Sequence, residues 1–165
     1  MEYFQVKKII DALKTPKDIF KVDIPSICES NQNRTIELIS SQIDASLLFD
    51  ISKYGLQIKR NKSQLRHNKT DVILRLDICS KHKNPEFIKE KSPKELGSLM
   101  QKYSGAVFEK ECSHLHFFVK GYNDKWAFPI SEFGLKGKGE LEDVAKEFCE
   151  FCNIKEIEFI KRSLF

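Results

Sequence analysis

No stretch of the 165-residue chain approaches the ~20 apolar residues needed to cross a bilayer. Residues 1–8 already carry charge where a secretion signal would need an apolar run, so a cytoplasmic location and no membrane partner are expected. Cysteine is sparse and odd in number, with five residues at Cys28, Cys79, Cys112, Cys149 and Cys152. That excludes an even disulfide framework and makes reduced thiols the expectation. Also absent are a Walker loop, a Rossmann glycine fingerprint, a zinc-protease helix and a serine nucleophile elbow. The common nucleotide-dependent and hydrolase classes therefore have no positive support, and no cofactor is expected. Neither an internal repeat nor a low-complexity tract is present.

What is present suits one α+β domain spanning 1–165. Hydrophobic residues make up 41% and charged residues 32%, well away from the composition of a disordered chain. With thirteen Phe against one Trp and two Met, phenylalanine supplies much of the core volume. The net charge of +4 is modest, but its distribution is uneven. Lys53, Lys59, Arg60, Lys62, Arg66 and Lys69 form a basic stretch with no acid among them, whereas Glu140, Glu142, Asp143, Glu147, Glu150, Glu156 and Glu158 make the C-terminal region acidic. Solvated surface and partner-binding surface both fit this polarity.

Tyr3, Val6, Ile9, Ile10 and Leu13 recur at helical spacing, which predicts an N-terminal helix ended by Thr15-Pro16. Phe20, Val22 and Ile24 alternate in an edge strand over 20–27, followed by a polar turn over 30–33. Strands are predicted over 35–41, 45–52, 56–60, 64–67 and 72–79. Their spacers of two to four residues can join only antiparallel neighbours, so the region reads as a meander. A short middle helix spans 93–103, with Ser92 as N-cap and Pro93 at its first position. Strands over 114–120 and 125–130 are joined by Gly121-Tyr122-Asn123-Asp124. A last helix over 141–151 places Leu141, Val144, Ala145, Phe148 and Phe151 on one face, to be packed on one side of a sheet of about six to seven strands.

Within the strand over 72–79, alternation sends Val72, Leu74, Leu76 and Ile78 one way and Arg75 and Asp77 the other. The strand over 114–120 does the same with Leu115, Phe117 and Val119 against His114, His116 and Phe118. If the two are neighbours, Arg75, Asp77, His114 and His116 converge. Such a set could orient a phosphate with Arg75, position His116 through Asp77 and use His114 as a general acid or base, which suffices for metal-free RNA cleavage. A purely structural ion pair is the competing reading, and a metal site using His114, His116 and Asp77 with His82 is a third. The basic segment could track a phosphate backbone through Lys59, Arg60, Lys62 and Arg66, and Trp126 could stack a base or pack beneath the sheet. The C-x-x-C of Cys149 and Cys152 stands alone in a helix and carries little weight as a redox or zinc site.

Taken in order, Leu74-Arg75-Leu76-Asp77, His82-Lys83-Asn84-Pro85, His114-Leu115-His116 and the run from Gly121 to Pro129 resemble the signature of an uncharacterised family of small bacterial proteins, often carried on mobile elements. The resemblance covers roughly residues 47–153. It departs where Glu86-Phe87 stands in place of Asp-Gly and where a lysine-rich segment over 89–110 is inserted, which weakens a role for His82. Similarity in size and pattern to small toxins implies an RNA-directed effector, a toxin-like ribonuclease with a cognate antitoxin. The alternative is a non-enzymatic, anti-CRISPR-like inhibitor that binds a host nucleic-acid-handling defence nuclease.

Overall fold

The N-terminal stripe folds as α1 (Tyr3–Asp11), with Val6, Ile9 and Ile10 buried and a capping box between Glu2 and Gln5. The structure, a computed structural model, describes residues 1–24, 32–54 and 60–161. Helix α1 stops two residues before Leu13, which is left half-exposed. Lys14 explains the stop. Its fully buried side chain turns back, and Nζ donates to the carbonyls of Ile9 (2.6 Å), Ile10 (3.0 Å) and Ala12, which the end of the helix would leave without donors.

The strands that follow are β1 (Thr15–Pro16), β2 (Lys21–Ile24), β3 (Gln32–Ile39), β4 (Leu47–Tyr54), β5 (Arg60–His67) and β6 (Asp71–Ile78). After them come β7 (His82–Lys83), α2 (Lys94–Lys102), β8 (Val107–Phe108), β9 (His114–Val119), β10 (Asn123–Pro129), α3 (Leu141–Phe151) and β11 (Glu158–Lys161). Seven strands form one antiparallel sheet in the order β1-β3-β4-β5-β6-β9-β10, as the α+β meander predicts. One sheet face carries Ile36, Leu38, Phe49, Leu65, Leu74, Leu76, Leu115, Phe117, Trp126 and Phe128, all buried. Helix α1 lies against β6 and β9, and α3 lies against β5, where Phe148 stacks on Phe49 at 5.7 Å between ring centroids. Burial of such rings is the main stabilising term, at ~25 cal/mol per Å² of apolar surface removed from water.

Several expectations about strands need correction. The turn expected at Asn61-Lys62-Ser63 is strand, because these residues pair with Ile78, Asp77 and Leu76 on one side and with Lys53, Ser52 and Ile51 on the other. Two neighbouring ladders outweigh the turn propensity of Asn and Ser. The strand expected over 56–60 lies outside the described residues except for Arg60. Of the polar turn expected over 30–33, residues 30–31 also lie outside them, while Gln32 and Asn33 are strand, paired with Lys53 and Ser52. The edge strand expected over 20–27 survives as β2, but it pairs in parallel with β11 rather than joining the main sheet. A bulge leaves Ile73 between the pairs Leu65–Leu74 and Arg66–Val72, so Val72 shares the face of Arg66 rather than that of Leu74.

Lys14→Met should lower the unfolding free energy by about 2 kcal/mol, since three carbonyls lose their donor. Burial pushes the Lys14 ammonium down from 10.5 to about 8. Between about pH 8 and about pH 10.5 the unfolded chain therefore holds more protons at this site than the folded one, and stability rises with pH. Urea denaturation of both proteins across this window should show the wild type gaining on Lys14→Met; a constant difference would mean that Lys14 titrates as an ordinary surface lysine.

Candidate functional site

Cross-strand partners share a face, so the face opposite the core can be read directly from the register. One row runs Thr35, Asp50, Gln64, Arg75, His116 across β3, β4, β5, β6 and β9. The next row runs Asn33, Ser52, Lys62, Asp77, His114. Ten side chains, eight of them charged, amide or imidazole groups and two hydroxyls (Thr35 and Ser52), thus form a polar lattice on five strands.

Asp50 anchors the β3–β5 end of this lattice. Its Oδ2 accepts from Arg66 Nε (2.6 Å) and Gln64 Nε2 (2.8 Å), and its Oδ1 accepts from Arg66 Nη2 (2.8 Å) and the Thr35 hydroxyl (2.7 Å). Burial alone would raise the Asp50 carboxyl, but these donors outweigh it and hold the group below the ordinary carboxylate range. Arg66, expected to hold nucleic acid, is thereby committed to Asp50 and to the carbonyl of Lys69.

At the other end, Arg75, Asp77, His114 and His116 do come together. Arg75 lies opposite His116 and Asp77 opposite His114 in the β6–β9 ladder. The Arg75 guanidinium pairs with Asp77 (3.1 Å from Nε to Oδ1) and, through Nη1, with Asp124 near the start of β10. Its Nη2 sits 3.0 Å from Nε2 and 3.2 Å from Nδ1 of His116. Both histidines are fully buried. His114 Nδ1 donates to the carbonyl of Cys112 and His116 Nδ1 to that of Asp124, each at 2.8 Å, since a carbonyl can only accept. Both Nε2 atoms then turn towards Asp77 Oδ2, at 4.0 Å from His114 and 3.3 Å from His116.

The electrostatics follow from this packing. Burial pushes the Asp77 carboxyl up, but the His116 hydrogen bond and the charge of Arg75 override it and bring it down to about 2. Burial takes His114 down to about 4, so its imidazole is neutral at pH 7, and His114 is not a general base poised near neutrality. Burial, and then the neighbouring His116, also lower His82. Asp77, His114 and His116 place potential ligand atoms within 4.8 Å of one another, the donor set from which a metal site can be made.

The short β7–β8 ladder braces this end of the face. His82 stacks on Phe108 and His114 and meets His116 edge-on at 4.5 Å between centroids. Asn84 is buried at the edge of β10, where its Oδ1 accepts from Ala127 N–H (2.9 Å) and its Nδ2 donates to the carbonyls of Ala127 (2.8 Å) and Tyr103 (3.0 Å). Next to the cluster opens a pocket of about 310 Å³, lined by Tyr54, Arg60, Asn61, Lys62, Arg75, Asp77, Ser80, Lys81 and His82. Arg60 and Lys62 lie 5.2 and 5.8 Å from the Tyr54 ring centroid. Lys59 lies outside the described residues. Trp126 is fully buried on the core face against Tyr122 and Phe128, so it offers no ring face to a base. Asp50, Asn84 and Asp124 were missed by the sequence reading. Asp50 lies in no motif, and the signature runs that hold Asn84 and Asp124 do not say what either side chain touches, which only long-range register and packing reveal.

The fold and this lattice define an α+β protein with an antiparallel sheet whose second face carries a buried Arg–Asp–His cluster. A family model described as a Family of unknown function (DUF6978) matches residues 3–154, and the chain belongs to that family. Neither a curated protein nor a solved structure matches it.

Asp50→Ala should cost about 3 kcal/mol of stability, because it strands the Arg66 guanidinium against a half-closed sheet face. Chemical denaturation measures this directly, and a loss below about 0.5 kcal/mol would show that water replaces the carboxylate without penalty.

Proposed function

We propose that the protein is an RNA-directed effector that holds RNA phosphates in the pocket beside the Arg75 cluster. The observation that carries this reading is the pair Arg60 and Lys62. Both line the pocket, both lie beside the Tyr54 ring, and among the described residues neither is in an ion pair. The other pocket cations are compensated, Arg75 by Asp77 and Asp124 and Lys81 by Glu109. Uncompensated cations beside an aromatic ring are the combination with which single-stranded nucleic acid is held. A mobile-element setting and a toxin-like role belong to the same reading. The burial of His114 and His116 behind Asp77 favours binding over cleavage by a histidine pair.

A second reading, a non-enzymatic inhibitor of a nucleic-acid-handling protein, is favoured by the exposed acids Glu140, Asp143 and Glu150 along α3, which suit a basic groove.

Fluorescence anisotropy with a labelled single-stranded RNA separates the two. Wild type should bind with a salt-dependent Kd and leave the RNA intact on a gel. Arg60→Glu with Lys62→Glu should weaken binding at least 10-fold and flatten the slope of log K against log salt by about 1.4, at roughly 0.7 per lost phosphate contact. No binding by wild type, or equal binding by the variant, would defeat the RNA reading; the first outcome would turn attention to the acids of α3.

A further inference from the structure

The geometry points to a divalent transition-metal site formed by His114 Nε2, His116 Nε2 and Asp77 Oδ2. The inference does not rest on the RNA reading, which is carried by Arg60 and Lys62, although Asp77 borders both sites.

Three features carry it. The two Nδ1–H groups are tied to backbone carbonyls at 2.8 Å, which fixes ring orientation and leaves both Nε2 atoms as the inward-facing donors. Anchoring of this kind is what orients metal-bound imidazoles in general. Second, His114 is fully buried and its Nε2 has no hydrogen-bond partner; Asp77 Oδ2, 4.0 Å away, is itself an acceptor. A proton between His116 and Asp77 satisfies that pair at 3.3 Å but leaves His114 Nε2 bare. A cation bound by all three atoms satisfies every lone pair at once and releases that proton to solvent. Third, the spacing fits. A tetrahedral ion with bonds of about 2.0–2.1 Å holds its ligands roughly 3.3 Å apart. The His116–Asp77 pair is already at 3.3 Å, and all three atoms lie within 4.8 Å, so small side-chain rotations close the site.

Two imidazoles and a carboxylate suit Zn²⁺ and its first-row neighbours rather than Mg²⁺ or Ca²⁺, which prefer all-oxygen shells. Three protein ligands leave a position for water or a ligand atom, as in catalytic rather than structural zinc sites. Asp77 also lines the 310 Å³ pocket, so the site borders that pocket on the carboxylate side. Arg75 stands beside the site and competes with the ion for His116 and Asp77.

The test is titration of the EDTA-stripped full chain with Co²⁺, followed by visible absorption and by equilibrium dialysis. One Co²⁺ per chain is expected, with d–d bands, no sulfur-to-metal charge transfer, and displacement by Zn²⁺. Asp77→Asn and His114→Gln, each checked for folding by circular dichroism, should weaken binding more than about 100-fold, beyond what loss of an outer-shell partner causes. The double variant Cys149→Ser, Cys152→Ser should bind unchanged. Should the buried histidine variant fail to fold, the wild type still decides, since Zn²⁺ must raise its melting temperature and EDTA must reverse the rise. Absence of stoichiometric binding to wild type, a thiolate charge-transfer band, or undiminished binding by folded Asp77→Asn would overturn the assignment.

Discussion

The register between β6 and β9 is the constraint on which the rest of the polar face depends. It sets Arg75 opposite His116 and Asp77 opposite His114, and it sets Leu74 and Leu76 opposite Phe117 and Leu115 on the core side. A slip of β9 by one residue against β6 would send His114 and His116 into the phenylalanine core and Leu115 and Phe117 out of it, so burial itself enforces the pairing. The register is also pinned at its outer edge. Gly121 and Asn123 take up the positive φ values of 82° and 52° that the tight β9–β10 turn demands. The buried Asn84 amide then docks on the backbone of Ala127 as an extra strand residue would.

Charge on this face is organised by compensation. At one end, Asp50 with Arg66 is a closed pair, bidentate and supported by Thr35 and Gln64. At the other, one guanidinium serves two carboxylates, Asp77 and Asp124, and two imidazoles fill the space behind. Between the two ends, Arg60 and Lys62 lie beside Tyr54 with no ion pair among the described residues. The face therefore holds a structural end, a cluster of excess acceptors and a rim of excess positive charge, all arranged by strand pairing alone.

The convergence of Arg75, Asp77, His114 and His116 was legible in the sequence because it needs only period-two alternation and the adjacency of two strands. Both conditions are local or nearly so. Other features were not legible because their causes are distant in sequence. Asn61 and Ser63 carry turn propensity, yet ladders on both sides hold them in β5. The early stop of α1 depends on Lys14 folding back onto carbonyls, which no spacing rule anticipates. The parallel pairing of β2 with β11 joins residues near the two ends of the chain. Trp126 shows the limit of reading residue type alone. The alternation that puts His116 on the polar face puts Phe117, and its cross-strand partner Trp126, on the other.

The two proposals about the face meet at Asp77 and are compatible in charge. Counting Asp77, Asp124 and Arg75, the cluster beside the pocket carries a formal excess of one negative charge, because a single guanidinium answers both carboxylates. Arg60 and Lys62 at the rim carry positive charge with no such answer. A bare dication is attracted by the cluster and repelled by the rim; a bare phosphate experiences the reverse. A metal ion seated on Asp77 with a phosphate oxygen in its open position satisfies both zones together, and at these separations Coulomb energies in a partly buried site amount to several kcal/mol. The same arrangement predicts coupling between the two ligands: whichever binds first lowers the electrostatic cost of the second, and reciprocity requires that each tighten the other by the same factor.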